Sequence, residues 1–368
     1  MKTLLLKFCV RVLRVLNLCF KPFKQKNQVV IMSRQSDKPT LDIMLLKKKF
    51  DEMGVHTIVL TKAMGDGISG KISYGFHLFT QMKYLATSKV VVLDGYCMLA
   101  SVLPKKKDQC IVQLWHALGA IKKFGWQSVN NPDGRTIEVA ETLCMHRNYD
   151  YIVAPGKING AFFAEAFRTP QDKVVYYGLP RIDFLKSKSN EQLFVEYPQI
   201  REKNIILYAP TFRKNAELEL ERLVDSFDFE KHALVIKKHF LDKGDYAWAK
   251  EKGAIVDGRF SSMDWLKICD GIITDYSAII FEAAILGKDI YIYQPDRASY
   301  EHNVGLNVDI GKEAIGKYVC ESEKELVERM DGKYDKAAVI AFCDKYIEID
   351  TDHCTEDFCR FVIGKLEK

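Results

Sequence analysis

A chain of 368 residues exceeds one ordinary hydrophobic core and suits two domains of roughly 150–200 residues each. A composition of 48% hydrophobic and 28% charged residues, with only 10 prolines, excludes a disordered or fibrous polymer. The formal net charge of +5 is too small to single out a class of partner, so its distribution matters more than its total.

Eight basic residues, from Lys2 to Arg34, precede the first acid, Asp37. Lys7, Arg11, Arg14 and Lys21 fall on one stripe at helical spacing, with Leu4, Leu5, Phe8, Leu13 and Leu16 opposite. This pattern predicts an amphipathic helix over residues 1–26 lying on an anionic membrane surface, although a first helix packed on the body would look similar. No apolar run is long enough to span a bilayer, and Arg11 and Arg14 interrupt any signal-peptide core. The 10 cysteines are scattered, with no C-x-x-C pair, which implies reduced thiols in the cytoplasm and no metal site.

Short β-rich runs then alternate with helical patterns. Strands are expected at 28–32, 56–60, 90–93, 110–114 and 151–154, with helices at 41–53, 74–85 and 158–167. The segment Gly178-Leu179-Pro180-Arg181-Ile182-Asp183 reads as a turn, and residues 186–198 as a polar crossing. A second series follows, with strands at 204–208, 233–236, 254–256, 271–274 and 289–293. Its helices fall at 263–268, 277–286, 322–330 and 335–347. The fold class is therefore α/β, with two Rossmann-like domains at 27–185 and 186–368 facing a cleft, a GT-B-like architecture that UDP-sugar epimerases share.

Chemistry-bearing residues collect at the expected strand ends, where such folds bind ligands. His116 follows the strand 110–114 and can take a proton from an attacking hydroxyl, while Lys122 or Lys123 can hold a phosphate. Arg213 follows 204–208 and suits bidentate phosphate binding; Lys238 and His239 follow 233–236, placing a cation beside an imidazole able to donate to a leaving oxygen. Thr274, Asp275 and Ser277 lie at a strand-to-helix joint, with Ser277 at the N-cap position and the unpaired first-turn N–H groups suited to an anion. Asp296 follows 289–293 and reaches the same rim. Each alone is a capping, turn or solvated residue. Together they suit a diphosphate and a hydroxyl nucleophile, and the chain has no P-loop, dinucleotide fingerprint, nucleophile elbow or nucleic-acid module.

The segments Trp115-His116, Gly178 to Asp183, Ala209-Pro210-Thr211-Phe212-Arg213, Lys238-His239 and Thr274-Asp275-Tyr276-Ser277 to Phe281 resemble, in order, the CDP-glycerol glycerophosphotransferase family of teichoic acid synthesis. The resemblance covers about residues 110–300. It implies a peripheral enzyme at the cytoplasmic face of the membrane that transfers a polyol phosphate, glycerol phosphate first and ribitol phosphate as the alternative. The donor is a CDP-polyol bound mainly by the second domain, the acceptor is a lipid-linked hydroxyl, and CMP leaves. No cofactor is implied, since the CDP-polyol is a substrate. By matching position His116 is the general base, His239 and Arg213 stabilise the diphosphate, Ser277 binds phosphate oxygens, and Arg181 is an acceptor or phosphate contact. The chain departs from the family pattern at Ala117-Leu118, Phe240, Ala278 and Glu282, which bears on donor and acceptor identity. The competing readings are a nucleotide-sugar glycosyltransferase or epimerase, and a catalytically silent membrane scaffold.

Overall fold

Continuous β-branched runs such as Val29–Met32 and Val90–Leu93 leave no polar face, the mark of parallel strands covered on both sides. The computed structural model describes residues 2–65, 67–189, 191–211, 216–238 and 244–367, and in it these runs are fully buried. Two six-stranded parallel sheets form, one in each of two compact units.

The first unit comprises Met1–Leu118, Lys123–Asp183 and Glu348–Lys368. Its strands are β1 (Lys26–Ser33), β2 (Thr57–Thr61), β3 (Ser88–Leu93), β4 (Cys110–Gln113), β5 (Tyr151–Ala154) and β6 (Val174–Tyr176). They lie in the order β2-β1-β3-β4-β5-β6, so the connections change direction between β1 and β3. The second unit comprises Gly119–Lys122 and Phe184–Ile347. Its strands are β7 (Asn204–Tyr208), β8 (His232–Ile236), β9 (Ile255–Val256), β10 (Gly271–Thr274), β11 (Asp289–Tyr293) and β12 (Val319–Cys320). Their order is β12-β11-β10-β7-β8-β9, which puts the change of direction between β7 and β10. In doubly wound sheets the crevice at such a switch point is where ligands bind.

Expected and observed elements differ in instructive places. The boundary expected after residue 185 falls between Asp183 and Phe184, inside a helix (Arg181–Lys186) that begins within the expected turn. Residues 348–368, assigned to the second domain by their position in the chain, belong to the first unit. The helix Cys354–Leu366 buries Cys354, Phe358, Cys359 and Val362 and packs against the helix Leu41–Glu52 and β3. Asp183 holds its start: the two carboxylate oxygens accept from Cys354 N and Thr355 N, each at 2.8 Å, which satisfies first-turn donors and opposes the helix dipole. Gly178 lets this happen, because a Cβ there would lie 2.5 Å from Cys354 Sγ.

The amphipathic helix forms over Lys2–Asn17, shorter than the expected residues 1–26. Val10 is buried, and Arg14 faces the body, its Nε donating to Val102 O at 3.1 Å. Leu4, Leu5 and Phe8 are 73%, 64% and 64% exposed. The basic stripe is therefore divided: Arg14, though exposed, reaches back to the body, while of the apolar residues Val10 is buried and Leu4, Leu5 and Phe8 face solvent. No helix among the described residues is long and apolar enough to cross a membrane.

Candidate active site

In the first unit, three neighbouring strand ends meet around His116. The ladder runs one bond past β4, with Leu114 N donating to Leu93 O at 2.7 Å. Trp115 then adopts a left-handed backbone (φ 64°), a conformation that costs a bulky residue about 1–3 kcal/mol. Its N–H donates to Gln113 Oε1 at 3.0 Å, and its indole stacks on Phe124 with centroids 4.8 Å apart and meets the edge of Phe167. Packing thus holds the strained turn, and the turn swings His116 over the β1/β3 switch point.

There, His116 Nδ1 lies 2.9 Å from Asp94 O, just past β3. A carbonyl only accepts, so Nδ1 carries the proton and Nε2 the basic lone pair. Gln35 Nε2, just past β1, lies 3.1 Å from the same nitrogen; being a donor itself, it makes no hydrogen bond to a protonated Nδ1, and the amide pairs there only with its oxygen turned inward. Gly95 leaves room for both, since a Cβ there would approach Gln35 Nε2 to 3.2 Å. Arg181 fixes the loop from the other side. Its NH2 donates to His116 O at 3.0 Å, while its Nε and backbone N donate to Asp42 at 2.9 and 2.8 Å. Arg181 is thereby engaged with Asp42 and the backbone of His116 within the first unit. Burial pushes the Asp94 carboxyl up to about 7; Asp42 adds to the rise and Arg181 opposes it.

The second unit gathers a different set at the β7/β10 switch point. Thr274 donates its hydroxyl to Ala209 O at 2.8 Å, and Asp275 Oδ1 accepts from Thr211 N at 2.8 Å and Tyr276 N at 2.6 Å. Both residues are buried and tie the chain leaving β7 to the end of β10, so they shape the site more than they line it. Tyr276 stacks on Tyr300 with centroids 3.8 Å apart and donates to Asp296 Oδ1 at 3.1 Å, which brings Asp296 to this rim as expected. Ser277 does not cap the helix. The helix runs Ile279–Ile285 with Ala278 at the N-cap, and Ser277 Oγ is 3.5 Å from Ile279 N, a marginal contact. Its half-buried hydroxyl is left at the surface of the switch point.

Lys122 joins this set through the segment Gly119–Lys122. Asn307 N donates to Ile121 O at 2.8 Å and Asn307 Nδ2 to Lys122 O at 3.1 Å. Burial lowers the Lys122 pKa and the Asp275 carboxylate raises it, for a net fall. A half-buried ammonium in the field of one carboxylate retains donors that a phosphate oxygen can accept. Lys123 is exposed. Lys238 is exposed too, its Nζ donating to Gly244 O and lying 4.9 Å from the centre of the Tyr246 ring. Its neighbour Lys237 is locked on Asp257 at 3.0 Å. Arg213 and His239 lie outside the described residues, as does Phe240.

Sequence reasoning missed Gln35, Asp42 and Asp94. Asp94-Gly95 directly after Val90–Leu93 was a readable signal, an acid at a strand end followed by a glycine.

Residues 15–364 match the family described as CDP-Glycerol:Poly(glycerophosphate) glycerophosphotransferase. The chain belongs to this family. It is a polyolphosphotransferase. It is 32% identical over 293 residues to the teichoic acid ribitol-phosphate primase of Bacillus spizizenii, spanning 75% of each chain. It is 27% identical over 293 residues to the teichoic acid glycerol-phosphate primase of Bacillus subtilis, spanning 78% of this chain and 76% of the relative. In fold, the chain resembles the wall teichoic acid polymerase TagF, with a TM-score of 0.75 at 16% identity over 98% of both chains. The Staphylococcus aureus MnaA–UDP structure is also similar, with a TM-score of 0.57 at 15% identity over 94% of this chain and 97% of that one. The fold is of the GT-B type. Against the family pattern, Ala278 removes a hydroxyl at the N-cap, and Glu282 is buried in the first turn of the helix Ile279–Ile285.

Proposed function

We propose that the chain transfers glycerol phosphate from CDP-glycerol to a hydroxyl of a lipid-linked acceptor in teichoic acid or related surface-polymer synthesis. The acceptor oxygen bonds to the β-phosphorus, the bond from that phosphorus to the bridging oxygen breaks, and CMP leaves with the electron pair. His116 Nε2 takes the hydroxyl proton. Lys122 and Ser277 meet phosphate oxygens, and Arg213 and His239 stabilise the charge on the departing CMP, a use of donors fixed in advance at developing negative charge. The observation that carries this reading is the His116 Nδ1 bond to Asp94 O at a switch point, since it sets the tautomer a general base requires.

A second reading, CDP-ribitol as donor, is favoured by the higher identity to the ribitol-phosphate primase, 32% against 27%. Incubating the protein with each CDP-polyol and a lipid-linked acceptor, and following CMP release, tests both. Release from neither, with UDP freed from nucleotide sugars instead, would replace this function with glycosyl transfer.

The exposed Leu4, Leu5 and Phe8 support a peripheral location at the cytoplasmic membrane surface. Deleting residues 1–24 is expected to release the protein from anionic vesicles, and undiminished vesicle binding would end that part of the reading.

A further inference from the structure

Behind the helix Lys2–Asn17, within the first unit, lies a cavity of about 690 Å³, well within the range of small-molecule sites. Its wall is apolar, from Leu85, Leu99, Val102, Leu103 and Ile111. Its lining contains five cations and no acid. Lys105 is paired with Asp150. The other four, Arg14, Lys21, Lys106 and Arg147, have no carboxylate partner among the described residues; Arg14 and Lys106 donate to the carbonyls of Val102 and Phe23. Like charges gathered over an apolar hollow repel one another, and an anion relieves that repulsion. Hydrocarbon suits the wall, and phosphate suits the cationic rim. The outward residues Leu4, Leu5 and Phe8 of the same helix would bring such a molecule to the mouth of the cavity at a bilayer surface.

We infer that this cavity binds one anionic phospholipid, with the phosphate held by Arg14, Lys21 and Arg147 and an acyl chain against the leucine wall. The inference rests on the membrane-surface reading above, and it adds a stoichiometric, headgroup-selective site to what is otherwise a diffuse attraction.

Dihexanoyl phosphatidylglycerol, titrated below its micellar concentration, is the probe. The full chain is expected to bind it saturably, one per chain, and to bind dihexanoyl phosphatidylcholine at least roughly tenfold more weakly, the scale of one charge-assisted contact. The double variant Lys21→Glu/Arg147→Glu is expected to lose binding by a similar factor, with its circular dichroism and CMP release on a soluble acceptor intact. If that variant unfolds, Lys21→Gln/Arg147→Gln reads the same loss. Unsaturable binding, equal binding of both head groups, binding unchanged in the variant, or displacement by equimolar inorganic phosphate would each overturn the site. A second variant, Leu5→Glu/Phe8→Glu, separates the two readings: it is expected to leave vesicles while still binding the short-chain lipid. If it stays on vesicles, the surface-helix reading fails, and the cavity is judged by the titration alone.

Discussion

The two units place their chemistry at the same kind of location and solve different problems there. In the first, the switch point between β1 and β3 is filled by groups that hold one histidine: Asp94 O accepts from its Nδ1, Gln35 packs against the same edge of the ring, and Arg181 donates to its backbone carbonyl. In the second, the switch point between β7 and β10 is closed from below by Thr274 and Asp275, and above them remain a cation and a hydroxyl. The first arrangement holds an imidazole by its ring and its backbone, and in the proposed function its Nε2 is the proton acceptor. The second provides charge for an anion with little constraint on its orientation. A shared architecture therefore does not dictate a shared role, and the residues just beyond the strands do.

The sharpest way to break this contrast is His116→Ala. Loss of a general base is expected to lower turnover by roughly 10²–10⁴-fold with little change in donor KM. Near-normal turnover in a CMP-release assay would remove His116 from the role.

Arg181→Ala leaves Asp42 buried without its charge partner, which typically costs ~3–5 kcal/mol. Thermal or urea unfolding measures that loss, and a lower kcat in the folded fraction would show that the loop carrying His116 has been freed. If stability and kcat are both unchanged, the network is not what holds the histidine.

Asp94 gives the contrast a pH signature. Its carboxyl titrates at about 7 in the fold against an ordinary value near 3.8, so the folded chain holds a proton that the unfolded chain has released. Its contribution to stability is complete below about pH 4 and is lost as pH rises through 7. Asp94→Asn removes this dependence. The stability of the parent relative to the variant should fall between pH 4 and 7 by on the order of 3–4 kcal/mol, at ~1.4 kcal/mol per unit. A difference that stays flat across that range would mean the carboxyl is not desolvated.

Smaller effects are expected in the second unit. Lys122→Met should reduce kcat/KM for the CDP-polyol by roughly tenfold or more, and Ser277→Ala by a few-fold, as befits one charged and one neutral hydrogen bond. A Lys122→Met loss confined to kcat and as large as that of His116→Ala would dissolve the division between the two sites.

Much of this was legible in the sequence. Tyr151–Ala154, Asn204–Tyr208, Gly271–Thr274 and Asp289–Tyr293 were read to the residue, because buried parallel strands are unbroken apolar runs. The short strands Val174–Tyr176 and Val319–Cys320 were not, being edge strands of three and two residues with too little pattern. His116 and the Thr274–Ser277 joint stood out as polar residues at strand ends. Of the partners of His116, Arg181 stood out for a different role, whereas Asp94 acts through its backbone carbonyl, which has no side chain to read. The role of Asp183 was equally hidden, since its contacts are 171 and 172 residues away along the chain.

That last contact has a consequence for synthesis. Residues 184–347 are a continuous stretch, complete on emergence except for Gly119–Lys122, which precede them. The first unit, although it begins earlier, waits for residues 354–366 to cover β3 and the helix Leu41–Glu52. Domains generally fold in order from the N-terminus during synthesis. Here the later-made unit can finish first, and while it does, the earlier one keeps an apolar face of its sheet exposed to chaperones on the ribosome.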